Sequence, residues 1–201
     1  MILLDNEPLA VPKFISAQKL LEDKFILEFP SNDKNRKIGK NKTLTIELTI
    51  GDIACFVKPS SDFVCDSIVR GILPKRHNGL QSPTVYVLVT DNKFDFYNIT
   101  EIADKKYKIL DRVFKNVIVR RVFTIHQLAH FLIKELEKDI TKYKSKLVVI
   151  TGDFFLSNSQ ITKEDKDWLY PKMIQAIKKV AANSIILVFS PTRLSNLMNY
   201  G

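Results

Sequence analysis

Five short apolar runs, spaced at helix-length intervals, constrain this chain more than any other feature. Residues 53–57, 84–90, 146–151 and 184–190 are apolar at nearly every position, and 116–122 adds a fifth run that ends in two arginines. A strand that is apolar throughout is buried on both faces. Segments long enough for a helical crossover lie between these runs, so the pattern predicts a mainly parallel sheet with helices on both faces, an α/β fold. Helices are predicted over 60–73, stopped by Pro74, and over 96–108 and 171–182. A longer one is capped by Thr124 and carries the stripe Ile125, Leu128, Ala129, Leu132, Ile133, Leu136 and Ile140. Ahead of these, residues 44–50 alternate as a strand should, with Leu44, Ile46, Leu48 and Ile50 on one face.

At 201 residues, 45% of them apolar, the chain can fill one core without a disulfide or metal staple. The expected organisation is an N-terminal extension over 1–43, holding a polar basic segment, and a core domain over 44–201. Cys55 and Cys65 are the only cysteines, with no CxxC and no zinc-spaced Cys/His set, so a reducing intracellular setting is expected. His126 and His130 stand four apart, but His-Gln-Leu-Ala-His lacks the acidic residue of a metalloprotease helix and reads as two ordinary helix histidines. The first 13 residues, with Asp5, Glu7 and two prolines, make a poor signal peptide. No apolar run approaches the roughly 20 residues that span a bilayer, so no membrane partner is expected. There is no Gly-x-Ser-x-Gly elbow and no Gly-x-Gly-x-x-Gly after the first core strand, which excludes the common serine-hydrolase and dinucleotide patterns. The formal charge of +9 favours an anionic partner, nucleic acid before a membrane surface.

In parallel α/β sheets, ligands sit at the carboxyl ends of the strands. That places the expected functional rim at residues 58–61, 90–94, 120–124, 151–160 and 190–193.

Two segments carry more than fold class. Asn116-Val-Ile-Val-Arg-Arg-Val-Phe-Thr-Ile-His-Gln-Leu128 and Val85-Tyr-Val-Leu-Val-Thr-Asp-Asn-Lys-Phe-Asp-Phe-Tyr97 resemble consecutive stretches of the RecA/RadA-type recombinases. There, a strand with an acidic residue and then a Phe precedes a strand that ends Arg-Ala-Phe-Thr and runs into a Tyr-Gln-Leu helix. The order of elements matches as well, over about residues 44–190. The resemblance implies a RecA-like fold, DNA as a partner, and a recombinase-like protein or a second copy as another.

The departures from that family bear on activity. Its members follow the first core strand with Gly-x-x-x-x-Gly-Lys-Thr, whose backbone N–H groups and Lys hold phosphates. This chain has Lys58-Pro-Ser-Ser-Asp-Phe-Val-Cys65: Phe63 for the second Gly, Val64 for the Lys, and Cys65 for the magnesium-binding Thr, with Asp62 adding negative charge. Thr151 stands where the family has a terminal Asp, with Asp153 two residues later, and Asp91 lies near the place of the water-activating Glu. Losing all of these together implies a pseudo-ATPase, with no catalytic residues, no cofactor and no metal.

Function therefore rests on binding. The candidate DNA contacts are Lys34, Arg36, Lys37, Lys40 and Lys42 in the basic segment, Arg120 and Arg121 at the end of a strand, Lys163 in the polar loop after 151, and Arg193 after the last strand. Each has a plainer reading: a solvated linker for the segment, and a salt bridge to a carboxylate such as Asp91 for one of the arginines. Trp168 and Tyr170 fit base stacking, but at helix spacing core packing is the expectation. The expected function is a non-catalytic recombinase paralogue in the cytoplasm, or the nucleus of a eukaryote, that binds DNA with little regard to sequence and assists recombinational repair. The alternatives are a protein–protein adaptor on the same fold and an ATPase with a rebuilt phosphate site.

Overall fold

The computed structural model describes residues 2–3, 24–30, 43–89, 95–152 and 162–191. In chain order the strands are β1 (Ile2–Leu3), β2 (Phe25–Pro30), β3 (Thr43–Leu48), β4 (Ile53–Val57), β5 (Thr84–Val89), β6 (Val117–Val122), β7 (Leu147–Thr151) and β8 (Ile185–Ser190). Helix α1 (Ser61–Ile72) joins β4 to β5, and α2 (Phe96–Glu101) and α3 (Leu110–Asn116) join β5 to β6. The pair α4 (Ile125–His130) and α5 (Leu136–Tyr143), continuous through a π-helical turn over Phe131–Glu135, joins β6 to β7, and α6 (Lys163–Ala181) joins β7 to β8. The main sheet has the order β1-β4-β8-β7-β5-β6 with every pairing parallel, while β2 and β3 form a separate antiparallel pair. This is the α/β architecture expected of a RecA-like core.

The strand order dictates where the helices go. From β4 the chain moves outward to β5 and again to β6, then returns to β7 and β8. Parallel connections are right-handed, so the outward helices must lie on one face and the returning helices on the other. The packing agrees. Ala54, Phe56, Tyr86, Leu88, Val149 and Leu187 meet α1 to α3 through Ile68, Val69, Ile99 and Val113. The alternate residues Cys55, Val85, Val87, Val148, Ile150 and Val188 meet α4 to α6 through Leu128, Leu132, Met173 and Ile177.

The β2–β3 pair completes the first face, with Phe25, Leu27 and Leu48 in its core. Residue 43, the expected domain boundary, therefore divides two paired strands and is not a boundary of packing; β1 likewise joins the main sheet beside β4. The pair is held by a polar hub on α1. Arg70, 8% exposed, donates to the Ile26 carbonyl at 3.1 Å, to Glu28 at 3.2 Å and to Asp66 at 2.8 Å. Asp66 also accepts from Lys106 at 2.7 Å and from the Tyr107 hydroxyl at 2.8 Å.

Helix α3 has no sequence counterpart above, and no side chain caps its start. Helix α6 begins at Lys163 rather than at Pro171, which lies inside it. The overlooked signal is Thr162, whose hydroxyl accepts from the Asp165 N–H at 3.1 Å and donates to the Asp165 carboxylate at 3.0 Å. Lys163 and Lys166 are thus helical residues and not part of a loop. Among the described residues, no helix is long and apolar enough to cross a membrane.

Burial pushes the Asp66 carboxyl up, but the hydrogen bonds from Lys106, Arg70 and Tyr107 outweigh it and hold the group below the ordinary carboxylate value. A depressed folded-state value contributes stability above the unfolded-state value of about 4, lost as pH falls through the folded one. Asp66→Ala is expected to cost about 3 kcal/mol at pH 7, by leaving Arg70 buried without its nearest partner. Denaturant titrations from pH 7 down to 2 should then show a shallower acid loss in the variant than in the wild type.

Candidate functional site

The connection from β4 to α1 is three residues long, Lys58, Pro59 and Ser60. Lys58 takes a left-handed φ of 49° and donates its N–H to the Ser190 carbonyl at 2.8 Å, which ties the connection to the end of β8. Ser60 caps α1 with its own hydroxyl, accepting from the Phe63 N–H at 3.2 Å. The Phe63 ring packs on Phe56 at 5.2 Å and Phe189 at 5.7 Å between centroids, and Phe56 and Phe189 are 5.2 Å apart. Three aromatic rings thus fill the space between the start of α1 and the ends of β4 and β8.

Carboxylates surround this aromatic plug. Asp62 lies in the first turn of α1 and accepts from the Asn98 side-chain amide at 2.9 Å. Asp95 caps α2 by accepting from the Asn98 N–H at 3.1 Å and also accepts from the Ser61 hydroxyl at 3.2 Å. The amino ends of α1 and α2 therefore face protein carboxylates, which complement the helix dipoles. Val64 is half-buried, and Cys65 is buried behind it.

Thr151 ends β7 with its hydroxyl hydrogen-bonded to the Tyr86 hydroxyl at 3.0 Å. Gly152 follows at φ 118°, donating its N–H to the Phe189 carbonyl at 3.1 Å; a Cβ there would lie 2.1 Å from the Val89 carbonyl oxygen. Asp91 and Asp153 lie outside the described residues.

Among the candidate DNA contacts, Lys34, Arg36, Lys37, Lys40, Lys42 and Arg193 also lie outside the described residues. Arg120 makes a two-pronged salt bridge to Asp139 on α5 at 2.6 and 2.8 Å, the carboxylate partner expected for one of the two arginines. The reason is alternation along β6: Arg120 shares the face of Ile118 and Val122, which is the face α5 covers. Arg121 is exposed at the end of β6, and Lys163 opens α6.

The Thr124–Gln127 portion of the resembling motif has a local physical role. The Thr124 hydroxyl accepts from the Gln127 N–H at 3.2 Å, and the Gln127 side chain accepts from the Phe123 N–H at 2.8 Å, a reciprocal cap that turns β6 into α4. A groove of about 500 Å³ beside it is lined by Arg121, Phe123, His126, His130 and Glu135, with Phe123 56% exposed and His130 3.4 Å from Glu135. No group of three or more potential metal ligands occurs among the described residues. Tyr170 is in the core as expected, whereas Trp168 is 61% exposed with the Lys172 ammonium 3.5 Å above its ring.

Sequence reasoning missed the opposite edge of the sheet, where Lys142, Lys144 and Lys146 stand at alternate positions before β7 and Lys178 and Lys179 close α6. The Lys-Tyr-Lys-Ser-Lys spacing was the available signal.

No protein-family model and no curated protein matches this chain.

Two tests follow from this geometry. Burial pushes the Cys55 thiol up to about 11 and the Cys65 thiol up to about 12, the latter with further upward pressure from Asp95, Asp62 and Asp66. Since the thiolate is the nucleophile, a colorimetric thiol reagent at pH 7.5 should modify neither cysteine in the native protein and both in guanidinium. Gly152→Ala is expected to destabilise the fold by about 2–5 kcal/mol, through backbone strain and overlap with Val89, measured as a lowered denaturation midpoint.

Proposed function

We propose that this chain is a non-catalytic paralogue of the RecA/RadA-type recombinases, binding DNA and a protein partner to assist recombinational repair inside the cell, in the cytoplasm or a eukaryotic nucleus. The observation that carries the reading is the plugged β4–α1 junction within a parallel sheet of RecA-like architecture. A phosphate cradle needs glycine backbone, open N–H groups and a cation. The three-residue connection here offers an aromatic filling, a serine-capped helix and two carboxylates. A nucleotide's anionic end would have to displace packed rings and sit beside Asp62 and Asp95. Binding in place of catalysis also suits the net charge of +9.

A protein partner is supported by β6. Among the described residues it is an edge strand, paired only with β5 and half-exposed over most of its length, and it borders the groove holding Phe123. Such an edge can accept a further strand or a packed surface from another chain.

Calorimetry with ATP and Mg²⁺ should show no binding, and Val64→Lys should not create it. DNA of unrelated sequences should be retained equally at 50 mM salt, with affinity falling about tenfold or more by 200 mM. Micromolar, Mg²⁺-dependent ATP affinity would support the rebuilt-ATPase alternative. Absence of DNA retention at 50 mM would leave the adaptor alternative.

A further inference from the structure

We infer that the amino-terminal edge of the parallel sheet, opposite the expected ligand rim, is the surface that holds nucleic-acid phosphates. The inference rests on the DNA-binding reading and names the surface responsible. Lys75 and Arg76 precede β5; Lys142, Lys144 and Lys146 precede β7; Lys178 and Lys179 form the last turn of α6. All but the half-buried Lys146 are exposed. The acids on this edge, among the described residues, are Asp52 and Glu137. Glu137 is held by Lys179 at 2.6 Å, and Asp52 accepts from the Thr49 N–H at 2.8 Å.

Basic residues at helix carboxyl ends are common because they offset the helix dipole, so that effect must be subtracted first. Helices α1, α3, α5 and α6 end here, each contributing about half a negative charge. Among the described residues, seven cations against two acids and these four helix ends leave an excess of roughly three positive charges. The dipoles therefore account for a minority of the cluster.

The surface is also rigid. Ser82 donates to the Lys144 carbonyl at 3.2 Å and accepts from the Lys146 N–H at 2.7 Å, while Ser145 donates to the Pro83 carbonyl at 2.7 Å. The Ile185 N–H donates to the Lys146 carbonyl at 2.8 Å, and the Gly51 N–H to the Ser184 carbonyl at 3.2 Å. Loops before four strands are thereby stitched into one floor, from which the lysine side chains extend. Lys144 itself takes a left-handed φ of 53° at the end of α5, a position where Gly is favoured and a side chain costs about 1 kcal/mol. A hollow of about 330 Å³ opens between Lys144, Lys146, Lys179, Thr141 and Asn183.

The chemistry favours phosphates of nucleic acid over a lipid surface. Membrane-surface binding combines cations with inserted apolar side chains. The exposed large apolar residues among those described, Tyr97, Phe114, Phe123 and Trp168, lie outside the loops that carry these cations.

The test uses the full chain and a fluorescent DNA oligonucleotide, single- and double-stranded. A variant with Lys142, Lys144, Lys146 and Lys179 replaced by Gln is compared with one in which Lys24, Lys105, Lys108 and Lys134, exposed elsewhere, are replaced by Gln; both lose the same charge. The edge variant should bind about tenfold or more weakly at 50 mM salt, with a salt slope shallower by about two or more on the logarithmic scale. The control should stay within about threefold of wild type, and replacing the four edge lysines by Arg should restore binding. Lysine acylation of the wild type, read by mass spectrometry, should show Lys142, Lys144 and Lys146 protected by DNA, a readout independent of any variant's folding. If the edge and control variants bind alike, or these lysines are not protected, the surface assignment falls while the DNA reading stands. If the wild type retains no DNA, or binds only vesicles of equal phosphatidylserine and phosphatidylcholine, the DNA reading falls and takes the assignment with it.

Discussion

A parallel strand–helix–strand unit closes in the right-handed sense because strand twist and helix handedness allow only that packing. In this chain the rule fixes almost everything else. With β8 and β7 lying between β4 and β5, the outward path must cover one face and the return path the other. Cys55 and Cys65 consequently belong to cores on opposite sides of the sheet. Arg120 consequently reaches Asp139 on a returning helix. The amino ends of α1 and α2, both outward helices, come together over the same corner and share the carboxylates Asp62 and Asp95.

That corner is a structural joint built from the chain's own side chains. An open cradle leaves backbone N–H groups for a ligand and contributes little packing of its own. Here Ser60 supplies the cap, worth about 1 kcal/mol, and Phe63 joins two neighbouring rings, each aromatic pair contributing about 0.5–1.5 kcal/mol beyond its burial. Such a junction draws its order from packing and capping within the chain.

The sheet was legible from sequence because it is buried on both faces. Strands β4, β5, β7 and β8 fall within a residue of the apolar runs because they are buried along nearly their whole length, and the half-exposed β6 was found through its β-branched residues Val117, Ile118 and Val119. Helix α1 was legible through Ser60 and Pro74, and α4 through Thr124. What failed were elements whose signals are weak or distant. Helix α3 has no capping side chain, and Pro171 outweighed the true cap at Thr162 even though a helix tolerates Pro at some cost. Trp168 was expected inside because helix spacing marks a face without saying how far that face extends; the ring lies just beyond the apolar stripe, under Lys172. The candidate site was half legible. The residues Phe63, Val64 and Cys65 could be read from sequence as departures from the resembled loop, but the aromatic plug depends on Phe56 and Phe189, which only the tertiary fold brings to Phe63.

Charge placement follows from the same topology. All core strands run in one direction, so the helices between them run in the other, with their amino ends at one edge of the sheet and their carboxyl ends at the opposite edge. First-turn acids such as Asp62, Glu164 and Asp165 complement the amino ends, and last-turn bases such as Lys178 and Lys179 complement the carboxyl ends. The helix-end charges therefore follow the direction of the sheet, acids at the helix amino ends and bases at the carboxyl ends. In a fold that binds nucleotide, the ligand's negative charge would occupy the amino-end edge. Here protein carboxylates occupy part of it, while the lysines at the other edge exceed what the helix ends require.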